Sequence, residues 1–305
     1  MPGLFQTRIL GSSAAVPTSL RHTTAQLLQY NNNYILLDCA EGTQMQLRRF
    51  KTPLMKINRI FISHLHGDHY LGLPGLLFTY HLLGREKDIH IYSPPGLEEI
   101  IELHYRVSRL RPSFEVVFHE INEGRELLCS DNDFLVESIE MEHRIPTYGF
   151  LIKEIEGRRN IKKEIIARYD IPVSQMPDIK KGKNLIRPDG QIIPNEVITT
   201  PAPSPRIYAF CSDTNYTESY IDQITGADLL YHEATFMADM EETARAKTHC
   251  TTKEAAETAK KADVKRLMIG HYSARYKELD SFLKEAEEIF PNTILAREGE
   301  VIPVG

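Results

Sequence analysis

Within six residues, His64-Leu65-His66-Gly67-Asp68-His69, the chain carries three imidazoles and one carboxylate. Imidazole nitrogen and carboxylate oxygen are donors that suit zinc. In extended backbone alternate residues share a face. His64 and His66 can therefore hold one metal, while Asp68 and His69, past the flexible Gly67, can turn toward a second. Three more candidates stand apart: His143, Asp213 and His271. Each follows an apolar stretch, 135–141, 207–211 and 266–269 respectively. Taken singly, each reads as well as a satisfied core or loop polar residue, and the cluster as a histidine-rich surface loop. Taken together, five histidines and two aspartates behind buried strands have the composition of a dinuclear hydrolytic site.

Strands must deliver these residues. Segments 4–10, 24–30 and 34–38 have strand-like apolar content, and Asn31-Asn32-Asn33 makes the last two a hairpin. Segment 41–50 reads as a helix, with Met45 and Leu47 among polar neighbours. A short buried strand at 59–63 ends directly in the histidine cluster. An apolar helix at 71–83, a strand at 89–92 and a helix at 97–109 follow. Strands return at 115–118, 135–141 and 148–152. Residues near 155–200 are charged, carry Pro172, Pro177, Pro188 and Pro194, and sustain no period. They read as an extended arm inserted into the core. Regular structure resumes at 207–211 and 229–231, with helices at 252–262 and 279–289 flanking a strand at 266–269. Strand-rich stretches leading to histidines in both halves suit two β-sheets packed between helices, with the site at their strand ends.

The chain has 305 residues, 42% of them apolar, enough for one large α/β core with an insertion. Its four cysteines, Cys39, Cys129, Cys211 and Cys250, form no CxxC pair. A disulfide framework and a cysteine zinc site are both disfavoured, and a reducing, cytoplasmic setting is expected. The start of the chain lacks the pattern of a secretory signal, and no apolar run reaches the roughly 20 residues that span a membrane. Net charge is −6, unusual for a nucleic-acid binder. Segment 153–187, however, holds ten basic and five acidic residues, a local +5. Such a run is either a solvated face or a contact for phosphates.

The HxHxDH motif followed by separate His, Asp and His, spread over nearly the whole chain, resembles the metallo-β-lactamase superfamily. That resemblance implies an α/β fold, the αββα sandwich, as one domain over 1–305 with the arm inserted at about 155–200. It implies two zinc ions per chain, one on His64, His66 and His143, the other on Asp68, His69 and His271, with Asp213 bridging. Other features resemble ribonuclease Z. They are Gly11-Ser12-Ser13-Ala14-Ala15-Val16-Pro17 with Arg21, His232-Glu233-Ala234-Thr235, His249-Cys250-Thr251-Thr252, and Gly270-His271-Tyr272-Ser273-Ala274-Arg275-Tyr276.

The family resemblance implies a phosphodiesterase that removes the 3′ trailer of precursor tRNA, leaving a 3′-OH on the tRNA and a 5′-phosphate on the trailer. Two zinc ions can convert water to hydroxide near neutral pH. Asp68 then both ligates metal and takes the water's proton. His249, oriented by Glu233, is the candidate general acid for the ribose oxygen. Ser273 and Arg275 can hold phosphate oxygens. The resemblance also implies a homodimer and an arm that grips tRNA, here through Lys180, Lys181 and Lys183. The arm departs from the family's Gly-Pro-rich pattern, reading Ser174-Gln175-Met176-Pro177. Glu298 stands where many members have an Asp-containing turn. Two rivals are a same-fold enzyme for small or cyclic phosphodiesters, whose arm is a lid or dimer contact, and a non-catalytic scaffold. The complete ligand set argues against the second.

Overall fold

Neighbouring residues of the central strands are buried on opposite faces, as a strand between two apolar layers requires. In Ile207–Cys211, Tyr208 and Phe210 join one apolar cluster while Ala209 and Cys211 join another. In Asn33–Leu37, Ile35 and Leu37 join that first cluster while Leu36 joins a third. The cluster common to both strands is the layer between two sheets.

The structure, a computed structural model, describes residues 3–305. They divide into two units, 3–153 with 206–305, and 154–205. The larger unit holds two seven-stranded sheets. One runs Val301–Pro303, Phe5–Gly11, Ala25–Tyr30, Asn33–Leu37, Ile57–Phe61, Ile89–Ser93, Val116–Glu120. The other runs Thr293–Leu295, Leu267–Gly270, Leu229–Glu233, Ile207–Cys211, Thr147–Glu154, Phe134–Met141, Leu127–Ser130. Helices Thr43–Arg49, Leu73–Leu82 and Leu97–Ser108 cover the first sheet through Leu47, Leu77 and Ile101. Helices Thr252–Lys261 and Asp280–Glu287 cover the second through Ala255, Ala259 and Phe282. The layers are helix, sheet, sheet, helix, the α/β sandwich that the motif order implies.

Each sheet contains four successive parallel strands, from Asn33–Leu37 to Val116–Glu120 and from Ile207–Cys211 to Thr293–Leu295. Parallel strands place their C-terminal ends together, and loops there can converge. The 24–38 hairpin forms as read, with Tyr30 opposite Asn33 and Asn31 at φ 50, a conformation that asparagine tolerates. The strand expected over 59–63 is Ile57–Phe61 instead. It stops early because the Ser63 N–H goes to the Asp38 carboxylate, not to a neighbouring strand.

In the smaller unit, Asn160–Ile161 pairs with Thr199–Thr200 and Leu185–Ile186 with Ile192–Ile193. Ile165, Ile171, Ile179, Leu185, Ile193 and Ile198 form its own apolar cluster. Its longest helix, Lys163–Arg168, has six residues, which is why the sequence shows no period there. Lys180, Lys181 and Lys183 are exposed at the end of helix Met176–Lys180. The Arg159 N–H donates to the Lys180 carbonyl, bringing Arg158 and Arg159 beside them.

Candidate metal centre and active site

The seven proposed ligands converge from strand ends of both sheets. His64 lies three residues past Ile57–Phe61, Asp213 two past Ile207–Cys211, His143 two past Phe134–Met141, and His271 directly after Leu267–Gly270. The turn inside the motif differs from the reading above. His66 is extended, with φ −74 and ψ 145, and Gly67–Tyr70 is a helical turn. Asp68 and His69 are swung to the second group by that turn, not by glycine flexibility.

The ligand atoms form two groups. In the first, those of His64, His66, His143 and Asp213 all lie within 4.8 Å of one another. In the second, those of Asp68, His69 and His271 do the same. The two oxygens of Asp213 face different groups. Oδ2 is 3.7 Å from His64 Nε2, while Oδ1 is 3.5 Å from His69 Nε2 and 3.2 Å from His271 Nε2. Tetrahedral zinc with bonds of about 2.1 Å needs donor atoms about 3.4 Å apart. Three donor atoms, His69 Nε2, Asp213 Oδ1 and His271 Nε2, are buried without any hydrogen-bond partner. Buried polar atoms are rarely left so. Their orphaning, with the spacing, fits a metal centre.

Hydrogen bonds at the far ring nitrogens fix which nitrogen each histidine presents. A carboxylate or carbonyl oxygen can only accept. His69 Nδ1 therefore donates to Asp38 Oδ2 at 2.7 Å, and His143 Nδ1 to the Thr248 carbonyl at 2.9 Å. The Ser63 hydroxyl donates to Asp38 Oδ2 and so accepts from His64 Nδ1 at 3.0 Å. The Thr235 hydroxyl donates to Glu233 Oε2 and so accepts from His271 Nδ1 at 2.9 Å. All four rings are left with a bare Nε2 turned toward the group. His66 presents Nδ1 instead, 3.0 Å from His64 Nε2 and 3.3 Å from His143 Nε2.

Burial keeps His64, His66 and His143 below the usual imidazole range, hence neutral, as ligands must be. His69 is also buried, which lowers it, but Asp213, Asp38 and Asp68 outweigh burial and push it up. The negative charge gathered there calls for a cation, and a metal ion answers that need without protonating a ligand.

Glu233 is buried and accepts from the backbone of Thr214, Thr235 and Cys250 as well as the Thr235 hydroxyl. Its Oε1 lies 2.9 Å from His249 Nδ1. Burial lowers His249, but the Glu233 carboxylate prevails and pushes its pKa up to about 9. His249 Nδ1 is also 3.9 Å from Asp213, yet Glu233 occupies that nitrogen. His249 can therefore carry a proton outward on Nε2.

These groups share one open cavity of about 430 Å³, lined by Ala15, His66, Asp68, His143, Asp213, His249 and His271, among others. Ser273 and Arg275 do not line it. Arg275 folds over the Phe236 ring at 5.0 Å and donates to the Ser273 hydroxyl. Sequence reasoning missed Asp38, which orients a proposed ligand, and named Thr235 and Ala15 only within motifs, without their roles: Thr235 orients His271, and the Ala15 N–H donates to Asp68 Oδ2 at 2.7 Å. It also missed the cations on the cavity wall, Arg144 and Lys247. Their one signal was nearness in sequence, Arg144 directly after His143 and Lys247 two residues before His249. Ala15, Asp38, Thr248 and His271 all have positive φ, a strain that gathers at functional sites.

The sandwich and its two donor groups define a hydrolase of the metallo-β-lactamase fold. Comparison with known proteins narrows this. Ribonuclease Z of Phocaeicola vulgatus is 43% identical over 295 residues, covering 96% of both chains. That of Bacteroides thetaiotaomicron is 42% identical, covering 98% of this chain and 95% of the other. Human tRNase Z, short form, has a TM-score of 0.72 at 28% identity, covering 98% and 99% of the two chains. A family model described as Anti-Pycsar protein Apyc1 matches residues 5–162, a stretch that ends before Asp213, His249 and His271. The chain belongs to the ribonuclease Z family.

Proposed function

We propose that the protein is a zinc-dependent endoribonuclease that removes the 3′ trailer from precursor tRNA, leaving a 3′-OH on the tRNA and a 5′-phosphate on the trailer. The observation that carries this is His249, held from behind by buried Glu233, on the wall of the cavity that His66, Asp68, His143, Asp213 and His271 of the proposed donor set also line, in a chain that ribonuclease Z relatives match over 96% of its length. His64, His66 and His143 would hold one zinc, Asp68, His69 and His271 a second, and Asp213 both; bound there, zinc activates water and polarises the phosphoryl group. Asp68, anchored through Oδ2 by Ala15, offers its other oxygen to the water's proton. The water oxygen bonds to phosphorus as the bond to the ribose 3′ oxygen breaks. His249 gives that oxygen its proton, and Glu233 holds the imidazole in place. Ser273 and the exposed Arg275 serve the phosphate from the rim once Arg275 leaves Phe236.

The arm is the proposed tRNA contact, through Lys180, Lys181 and Lys183 beside Arg158 and Arg159. A homodimer is supported by exposed Met45 and Leu82 on helices Thr43–Arg49 and Leu73–Leu82, with exposed Leu71 in the turn before the second. A cytoplasmic location is supported by four free cysteines, three of them buried. Among the described residues no helix is long and apolar enough to cross a membrane.

The family model over residues 5–162 bears a name other than ribonuclease Z while covering five of the proposed ligands. That keeps one second reading, a phosphodiesterase for small or cyclic esters. Comparing kcat/KM for a precursor tRNA with that for cyclic nucleotides separates the two. Preference for the precursor is expected, and preference for the cyclic esters overturns the proposal.

A further inference from the structure

We infer that Arg144 and Lys247 clamp the phosphate one nucleotide upstream of the scissile bond, on the strand retained as tRNA. The inference rests on the proposed tRNA cleavage and deepens it. Both side chains line the cavity and are exposed. Apart from Asp68 and Asp213, both in the donor set, no acid lines that cavity. Among the described residues no carboxylate pairs with either cation.

The two sit on one rim. The Arg144 guanidinium donates to the Ala246 carbonyl at 2.7 Å, and His143 Nδ1 donates to the Thr248 carbonyl at 2.9 Å. Segment 143–144 is thereby tied to 246–249, with Thr248 kinked at φ 57. Arg144 directly follows a proposed ligand, and Lys247 stands two residues before His249. The Lys247 ammonium lies 5.9 Å over the Phe236 ring. A guanidinium already held at one edge loses little freedom when it binds, and it offers its remaining N–H groups as a fork to phosphate.

The chemistry sets the direction of the strand on this rim. In displacement at phosphorus the attacking and leaving oxygens stand roughly in line on opposite sides. The leaving oxygen must lie at His249, the acid. That oxygen is the 3′ oxygen of the last retained nucleotide, whose own 5′ phosphate continues upstream. The upstream phosphate therefore falls on the His249 side, where Arg144 and Lys247 stand. The trailer leaves on the other side. Without these cations the rim would meet a polyanion with only the field of two aspartates and the metal site.

The test uses precursor tRNAs, assembled by ligation, in which one phosphate is replaced by an uncharged methylphosphonate, either one position upstream or one downstream of the cut. With zinc-loaded wild-type protein, upstream neutralisation is expected to reduce kcat/KM by about tenfold or more, mainly through KM. In the Arg144→Ala/Lys247→Ala protein, itself similarly slowed on the unmodified precursor, the same replacement is expected to cost less than about twofold. Downstream neutralisation is expected to affect both proteins equally. Arg144→Gln keeps a donor for Ala246 but removes the charge. Combined with Lys247→Ala, it should behave as the double alanine variant does, and wild-type kinetics from that Arg144→Gln/Lys247→Ala protein would overturn the inference by making the tie to Ala246 the whole effect. Losses from variant and upstream methylphosphonate that simply multiply would overturn it while leaving tRNA cleavage standing. A wild-type protein that fails to cut the unmodified precursor would overturn both.

Discussion

His249 and Glu233 lie 2.9 Å apart, and the carboxylate makes the imidazole basic enough to hold a proton at neutral pH. If that proton goes to a ribose oxygen, His249→Ala should slow precursor cleavage by about 10²–10⁴-fold. It should slow an activated aryl phosphodiester far less, since a phenolate departs without help. Equal losses on the two substrates would make His249 a positioning residue. Asp38 acts one step further out. It binds Ser63 and His69 Nδ1 together, so Asp38→Ala should weaken zinc retention about 10–100-fold, read by titration against a chelator. Unchanged affinity would leave Asp38 a purely structural loop anchor. The residues that converge as proposed ligands were legible in the sequence because histidines are uncommon and their spacing carries information. Asp38 was not, and Thr235 and Ala15 were named only within motifs, without a role. Each acts through a carboxylate, a hydroxyl or one N–H, and nothing in their residue types distinguishes them from ordinary turn residues.

Strand ends are the elements that make the site. The near-continuous apolar runs at 207–211 and 266–269 were readable because both faces of those strands are buried. The edge strands Leu127–Ser130 and Val301–Pro303 were not, being short and partly exposed. The helical turn Gly67–Tyr70 was hidden because four residues are too few to show a period. Leu267–Gly270 is held most tightly where it meets the site. A Cβ on Gly270 would stand 2.5 Å from the Tyr231 ring, inside the layer between the sheets. Gly270→Ala must displace either Tyr231 or the following His271. It should lower stability by about 1–3 kcal/mol and reduce zinc content along with it. A variant as stable as wild type in chemical denaturation would show that the strand end yields freely.

Across the molecule, charge is divided unevenly. The chain is −6 overall, while the unit 154–205 holds nine basic and seven acidic residues, a balance of +2. The +5 of segment 153–187 falls because the unit leaves out Lys153 and takes in Asp189 and Glu196, so the local cluster at Arg158, Arg159 and Lys180–Lys183 matters more than the sum. Phosphate contacts release counterions and make binding salt-dependent. Replacing roughly residues 160–190 with a Gly/Ser link should weaken precursor binding by about tenfold or more and flatten its salt dependence. Metal content and a cooperative melt must first confirm folding. Unchanged affinity and slope would leave the run a solvated face. At this scale the sandwich was legible from the order of the ligands. The arm's internal fold was not, because its elements are short and its apolar residues, chiefly isoleucines, scatter without period. The most direct test of the central claim is to map both product ends after incubating the zinc-loaded protein with a 3′-extended precursor tRNA. The account predicts a 3′-OH on the tRNA and a 5′-phosphate on the trailer, with the cut lost in Asp213→Ala. A 2′,3′-cyclic phosphate on the tRNA with a 5′-OH on the trailer, or no cut at all, would contradict it.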